Sequence, residues 1–149
     1  MVTLLGSQRL GSWCLSAVPA SVPKVRRAVR AVIADRGFDD VAVGLAVTEA
    51  VTNVVRHAYP EPGGAVTVRA DASPQELVLV VADEGAGDRS LTLRADPGLG
   101  MGLALIRELC SSVRIDPTSA GTTVTMHFAK SVDPPRTVAE GSGGQLLGT

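Results

Sequence analysis

Glu49, Asn53 and His57 interrupt an otherwise apolar run at four-residue intervals, inside the segment Val41 to Tyr59. In a helix that spacing sets them on one face, a turn apart. Their neighbours are mostly Val and Ala, a composition that predicts a helix buried nearly all round. A neutral polar group buried without a partner costs about 1–3 kcal/mol, and a charge costs more. Something polar should therefore meet the stripe. Water along a solvated helix face would serve, but such a face carries Lys and Glu rather than Val and Ala. The Asn53 amide oxygen is a hard ligand of the type Mg²⁺ takes, and that ion commonly shares its coordination with phosphates. Glu49, a turn earlier, has the chemistry of a general base towards a hydroxyl or water beside a terminal phosphate.

Two glycine-bearing segments offer matching chemistry. Asp83-Glu-Gly85-Ala-Gly87 directly follows the apolar run Leu77 to Ala82. An aspartate at a strand end can accept from an exocyclic amine such as adenine N6, and glycines let the backbone approach a flat ring. A plain Asp-x-Gly turn would read the same in isolation. Gly98-Leu-Gly100-Met-Gly102 opens the apolar segment Leu103 to Cys110. Glycines at a helix start uncover N–H groups at the positive end of the helix dipole, where phosphate oxygens bind. No Gly-Lys-Ser/Thr follows, so this is not a P-loop. Gly121-Thr122-Thr123 leads into a last strand and alone says little.

The elements that would position these residues follow from periodicity and breakers. A strand is expected over Ser12 to Val18, with Trp13, Leu15 and Ala17 on one side. Ser21 should cap a first helix carrying Pro23 in its first turn and ending at Gly37. Asp39 or Asp40 should start the second, which Pro60, Pro62, Gly63 and Gly64 stop after Tyr59. Strands are expected at Ala65–Asp71 and Glu76–Ala82 as a hairpin, the second with the look of a fully buried central strand. A third helix spans Leu99 to about Cys110, and strands follow at Val113–Asp116 and Thr122–Phe128. Helices would then cover one face of a mixed, mainly antiparallel sheet: an α+β, two-layer α/β sandwich rather than a doubly wound dinucleotide fold. Residues 1–11 read as an extension, 12–130 as the domain, and 131–149, rich in Gly with Pro134 and Pro135, as a flexible tail.

Composition sets the outer limits. The chain has 149 residues, 45% hydrophobic and 3% aromatic, enough for one core built from Val, Leu, Ile and Ala. A net charge of −1 gives no overall attraction to nucleic acid or to an anionic membrane. No segment approaches the ~20 apolar residues of a membrane span, and the start has no signal-peptide pattern. Cys14 and Cys110 lack metal-ligand spacing and are expected as buried, reduced thiols, which suits the cytoplasm.

In order and spacing, the four segments resemble the boxes of the GHKL (histidine-kinase-like) ATPase superfamily. Glu49-x-x-x-Asn53-x-x-x-His57-Ala-Tyr59 is similar to its N box, and the segments at 83–87, 98–102 and 121–123 to its three glycine boxes. His-Ala-Tyr at the end of the N box, and Leu-Ile-Arg-Glu-Leu-Cys after the second glycine box, resemble the small anti-sigma-factor serine/threonine-protein kinases. The resemblance implies a Bergerat-type fold binding ATP and Mg²⁺, acting on a small anti-anti-sigma antagonist and restraining a sigma factor as a homodimer. It implies Asn53 on the magnesium, Glu49 as catalytic base, and His57 within the nucleotide site. Asp83 would take the adenine amine, with Gly85, Gly87 and Thr123 around the ring. Gly98, Leu99, Gly100, Met101, Gly102 and Leu103 would wrap the phosphates, under a short lid carrying Arg89 and Arg94. The basic residues Lys24, Arg27 and Arg30 of the first helix would face an acidic sigma region. Alternatives are a non-catalytic, ATP-responsive sigma-binding module, or the stand-alone catalytic domain of a histidine kinase.

Overall fold

The computed structural model describes residues 6–85 and 100–131, with side chains in the second stretch from Leu103 onward. Strand β1 (Gln8–Ser16) is followed by helix α1 (Ser21–Ile33) and helix α2 (Asp40–Asn53), which runs on as a π-helical turn over Val54–Ala58. Strands β2 (Ala65–Ala72) and β3 (Glu76–Asp83), helix α3 (Gly100–Leu109), and strands β4 (Ser112–Thr118) and β5 (Gly121–Ala129) complete the order. The five strands form one sheet in the order β1-β2-β3-β5-β4. The expected mainly antiparallel sheet is antiparallel at all four pairings.

Alternation along the strands divides the molecule into two layers. Val66, Val68, Ala70, Leu77, Leu79, Val81, Met126 and Phe128 are buried together with Val25, Val29 and Ile33 of α1 and Val43, Val47 and Val51 of α2. Each Val, Leu, Ile, Met or Phe side chain among them contributes roughly 1.5–3 kcal/mol on removal from water. The intervening residues Thr67, Arg69, Val78, Val80 and Thr125 are exposed or half-exposed on the other face. The β3 run is therefore buried on one side only, unlike the fully covered strand its apolar sequence suggests. α2 lies between α1 and α3. Gly44 makes room for α1: a Cβ there would come within 3.2 Å of the Arg30 side chain.

Several local expectations change. Residues 8–11, expected to precede the domain, belong to β1. A register shift between Arg9 and Gly11 breaks the alternation that would have revealed them, and the Trp13 indole folds back over Gly11, where a Cβ would sit 2.4 Å from the ring. Ser21 does not cap α1. The cap position is Ala20 without a side-chain bond, and the carbonyls of Val18 and Pro19 accept from the N–H groups of Ser21 and Val22 at 2.9 and 3.1 Å; of the two N–H positions a Ser21 cap would serve, one is Pro23, which has none. Asp39 does cap α2, its carboxylate accepting from Val41 and Ala42 at 3.1 Å each. Cys14 is exposed rather than buried, since it alternates with Trp13 and Leu15 and so falls on the uncovered face. Cys110 is half-buried, and burial pushes its thiol up from 9.0 to about 11. Of the tail, residues 132–149 lie outside the described residues.

Candidate functional site

A cleft, partly open to solvent, lies between the end of α2, the start of α3 and the adjoining ends of β3 and β5. Asn53 and His57 reach it from the helix, Asp83 and Gly85 from the β3 end, Leu103 and Ile106 from α3, and Thr122 and Val124 from β5. The helix face that carries Asn53 and His57 changes winding between them, from α to π at Val54. Isolated π turns are rare and gather at functional sites.

The β3–β5 pairing builds the floor of one end. Register sets Asp83 opposite Thr122. The Asp83 carboxylate accepts from the backbone N–H of Gly85 at 2.9 Å and of Thr122 at 3.3 Å. Two close approaches fix the turn. A Cβ at Gly85 would fall 2.0 Å from the Ala58 carbonyl oxygen, and one at Gly121, whose φ is +143°, 1.9 Å from the Asp83 carbonyl oxygen. Both positions therefore require glycine.

The structure brings together Asn53, His57, Asp83, Gly85 and Leu103 of the expected site. Gly100, Met101 and Gly102 form the first turn of α3. Glu49 is half-buried a turn before Asn53 and is not part of the cleft lining. Thr123 does not enter the cleft. It alternates with the inward-facing Thr122, Val124, Met126 and Phe128, and so projects from the opposite side of the sheet. Thr122, missed in the sequence, takes the inward place and is 8% exposed. Counting back by twos from Met126 and Phe128 would have found it. The apolar lining Ala50, Val54, Ala58 and Ile106 was not singled out either, because Ala and Val are too common to mark a site. Gly87, Arg89, Arg94, Gly98 and Leu99 lie outside the described residues.

Asn53 suits a magnesium ligand. Its amide is half-buried at the cleft and has no hydrogen-bond partner among the described residues. No group of three or more His, Cys, Asp or Glu gathers among the described residues to hold a metal, so an ion there would draw its remaining oxygens from phosphate and water. Of the basic residues on α1, Lys24, Arg27 and Arg30 are exposed. Arg30 is engaged within the protein, 2.9 Å from Asp40.

A family model described as a histidine kinase-like ATPase domain matches residues 15–128. Among curated proteins, the chain is 32% identical over 99 residues to an anti-sigma F factor of Clostridium acetobutylicum, covering 60% of this chain and 68% of that protein. It is 32% identical over 92 residues to the serine-protein kinase RsbW of Bacillus mycoides, covering 52% of this chain and 58% of the relative. Among solved structures, the RsbU and RsbW domains of a Mycobacterium tuberculosis protein align with a TM-score of 0.61 at 25% identity, over 79% of this chain and 32% of that one. A histidine kinase domain from Erythrobacter litoralis shares the fold, with a TM-score of 0.53 at 19% identity over 74% of this chain and 60% of that one. The match runs from the end of β1 into β5 and includes every described residue of the cleft: the chain belongs to the histidine kinase-like ATPase domain family.

Proposed function

We propose that the chain is an ATP-binding anti-sigma regulatory factor with serine/threonine kinase activity, acting on a small anti-anti-sigma protein in the cytoplasm. One observation carries the reading: Asn53, Asp83 and Gly85, distant in sequence, converge on a single cleft. Similarity to an anti-sigma F factor and to a serine-protein kinase supports the choice of partner and reaction. Asn53 would hold Mg²⁺ against the phosphates and Asp83 would accept from adenine N6. Gly100, Met101 and Gly102 would present N–H groups to phosphate oxygens. Glu49 would accept the proton of the substrate serine as its oxygen attacks the γ-phosphorus, the bond from that phosphorus to the β–γ bridging oxygen breaks, and ADP leaves with that oxygen. Such chemistry rests mainly on positioning and charge neutralisation, so a sparse set of groups suffices. Arg89 and Arg94 would complete the phosphate contacts, and the regulator would act as a homodimer. Radiolabelled ATP and the cognate antagonist test the reading: label should pass to the antagonist serine. Glu49→Ala should abolish transfer while nucleotide still binds; a wild-type chain that transfers no label overturns the kinase reading.

A second reading is a non-catalytic, ATP-responsive sigma-binding module. Glu49 lies outside the cleft lining, and Lys24 and Arg27 present an exposed basic face. Sigma-factor capture that survives in Glu49→Ala but weakens in Arg27→Glu would favour it.

A further inference from the structure

The residue that follows the cleft helix makes two hydrogen bonds that no role above accounts for. Tyr59 leaves the π turn with extended backbone, φ −122° and ψ 122°. Its hydroxyl donates to the Ala65 carbonyl at the start of β2. The same oxygen accepts from the backbone N–H of Glu84 at 2.9 Å. One O–H and one lone pair are thereby committed in fixed directions, to two segments that the chain itself joins only through a hairpin. The ring has a seat of its own: a Cβ at Gly64 would lie 2.4 Å from three of its carbons.

The contacts converge on the Asp83–Gly85 turn. His57 lines the cleft. Ala58 offers the carbonyl against which Gly85 packs. Tyr59 grips Glu84. Three consecutive residues at the exit of α2 thus touch the cleft or the turn that bears Asp83, each in a different way. The turn is held from β5 through Thr122 and from the helix side through Tyr59.

We infer that Tyr59 is a positioning residue for base recognition: its hydroxyl fixes the turn that aims the Asp83 carboxylate, and so sets the preference for a 6-amino purine. The inference rests on the nucleotide reading above. Tyr59 is not among the residues that line the cleft. It acts through Glu84, so its loss should erode discrimination at the purine 6-position more than affinity for the triphosphate.

Calorimetry on the full chain with Mg²⁺ tests this, using ATP and its 6-oxo analogue ITP. The wild type should prefer ATP. Tyr59→Phe keeps the ring on Gly64 and removes only the oxygen. It should weaken ATP about three- to tenfold, the range of one lost hydrogen bond, leave ITP nearly unchanged, and hold the melting temperature within a few degrees. Gly64→Ala displaces the same ring and should reproduce the lost preference, with no further loss when combined with Tyr59→Phe. Unchanged ATP preference in Tyr59→Phe overturns the inference and leaves the nucleotide reading standing. Equal weakening of ATP and ITP together with a large drop in melting temperature also overturns it, as the mark of a merely structural tyrosine. A wild type that binds neither nucleotide overturns the nucleotide reading and this inference with it.

Discussion

At the scale of single residues, the tightest constraints lie where glycine backbone meets carbonyl oxygen. Gly121 combines a φ of +143° with an approach to the Asp83 carbonyl that leaves no room for a methyl group. Gly121→Ala should cost roughly 2 kcal/mol or more, read from the urea midpoint, and should weaken nucleotide binding because the Asp83 turn must shift. Cys110 gives a pH prediction. Its thiol keeps the proton up to about 11 in the folded chain against 9.0 for the ordinary group. The unfolded chain releases that proton first, so this group's contribution to stability is present below pH 9 and falls as pH rises from there towards 11. Alkylation followed by mass spectrometry at pH 8 should modify exposed Cys14 well before Cys110. Much of the cleft was legible at this scale. Asn53, His57, Asp83 and Gly85 stand out because polar groups or glycines break apolar runs at regular intervals. Thr122 and Tyr59 were visible only as parts of motifs, with no role of their own. Thr122 needed the inward parity of β5, and Tyr59 meets Glu84 across 25 positions of sequence, a contact no local pattern encodes.

At the scale of elements, α2 is set by its cap and its burial. Asp39→Ala removes the acceptor for two N–H groups and should destabilise by about 1 kcal/mol. Leu79→Ala empties a fully buried site on the central strand β3 and should cost about 2–5 kcal/mol, both read by chemical denaturation. Apolar runs bounded by Gly, Pro and Asp placed α2 taken with its π turn, and β2, β3 and β5, within a residue or two. They had no means of showing the π turn at Val54–Ala58. The residues there are ordinary Val, Arg, His and Ala, and the contact of the Ala58 carbonyl with Gly85 joins segments that no local pattern connects. The start of β1 was hidden for a related reason: the shift at Gly11 interrupts the period of two just where Gln8 and Arg9 add polar side chains.

At the scale of the whole molecule, short turns made the β2–β3 and β4–β5 hairpins legible, but nothing local declared that β5 lies beside β3. That pairing brings Asp83 to Thr122 across 39 positions and so assembles the cleft floor. The surface ion pairs add little to the frame. Arg30–Asp40 is about half exposed on both sides, and Asp40→Asn should change stability by less than about 1 kcal/mol, while freeing Arg30 to face outward. The outermost strands have a further consequence. β1 is interrupted at Gly11, and β4 carries Arg114, Asp116 and Pro117 near its end, with Pro117 lacking an N–H to offer a neighbour. Among the described residues, these features work against uncontrolled strand-to-strand polymerisation at both borders of the sheet.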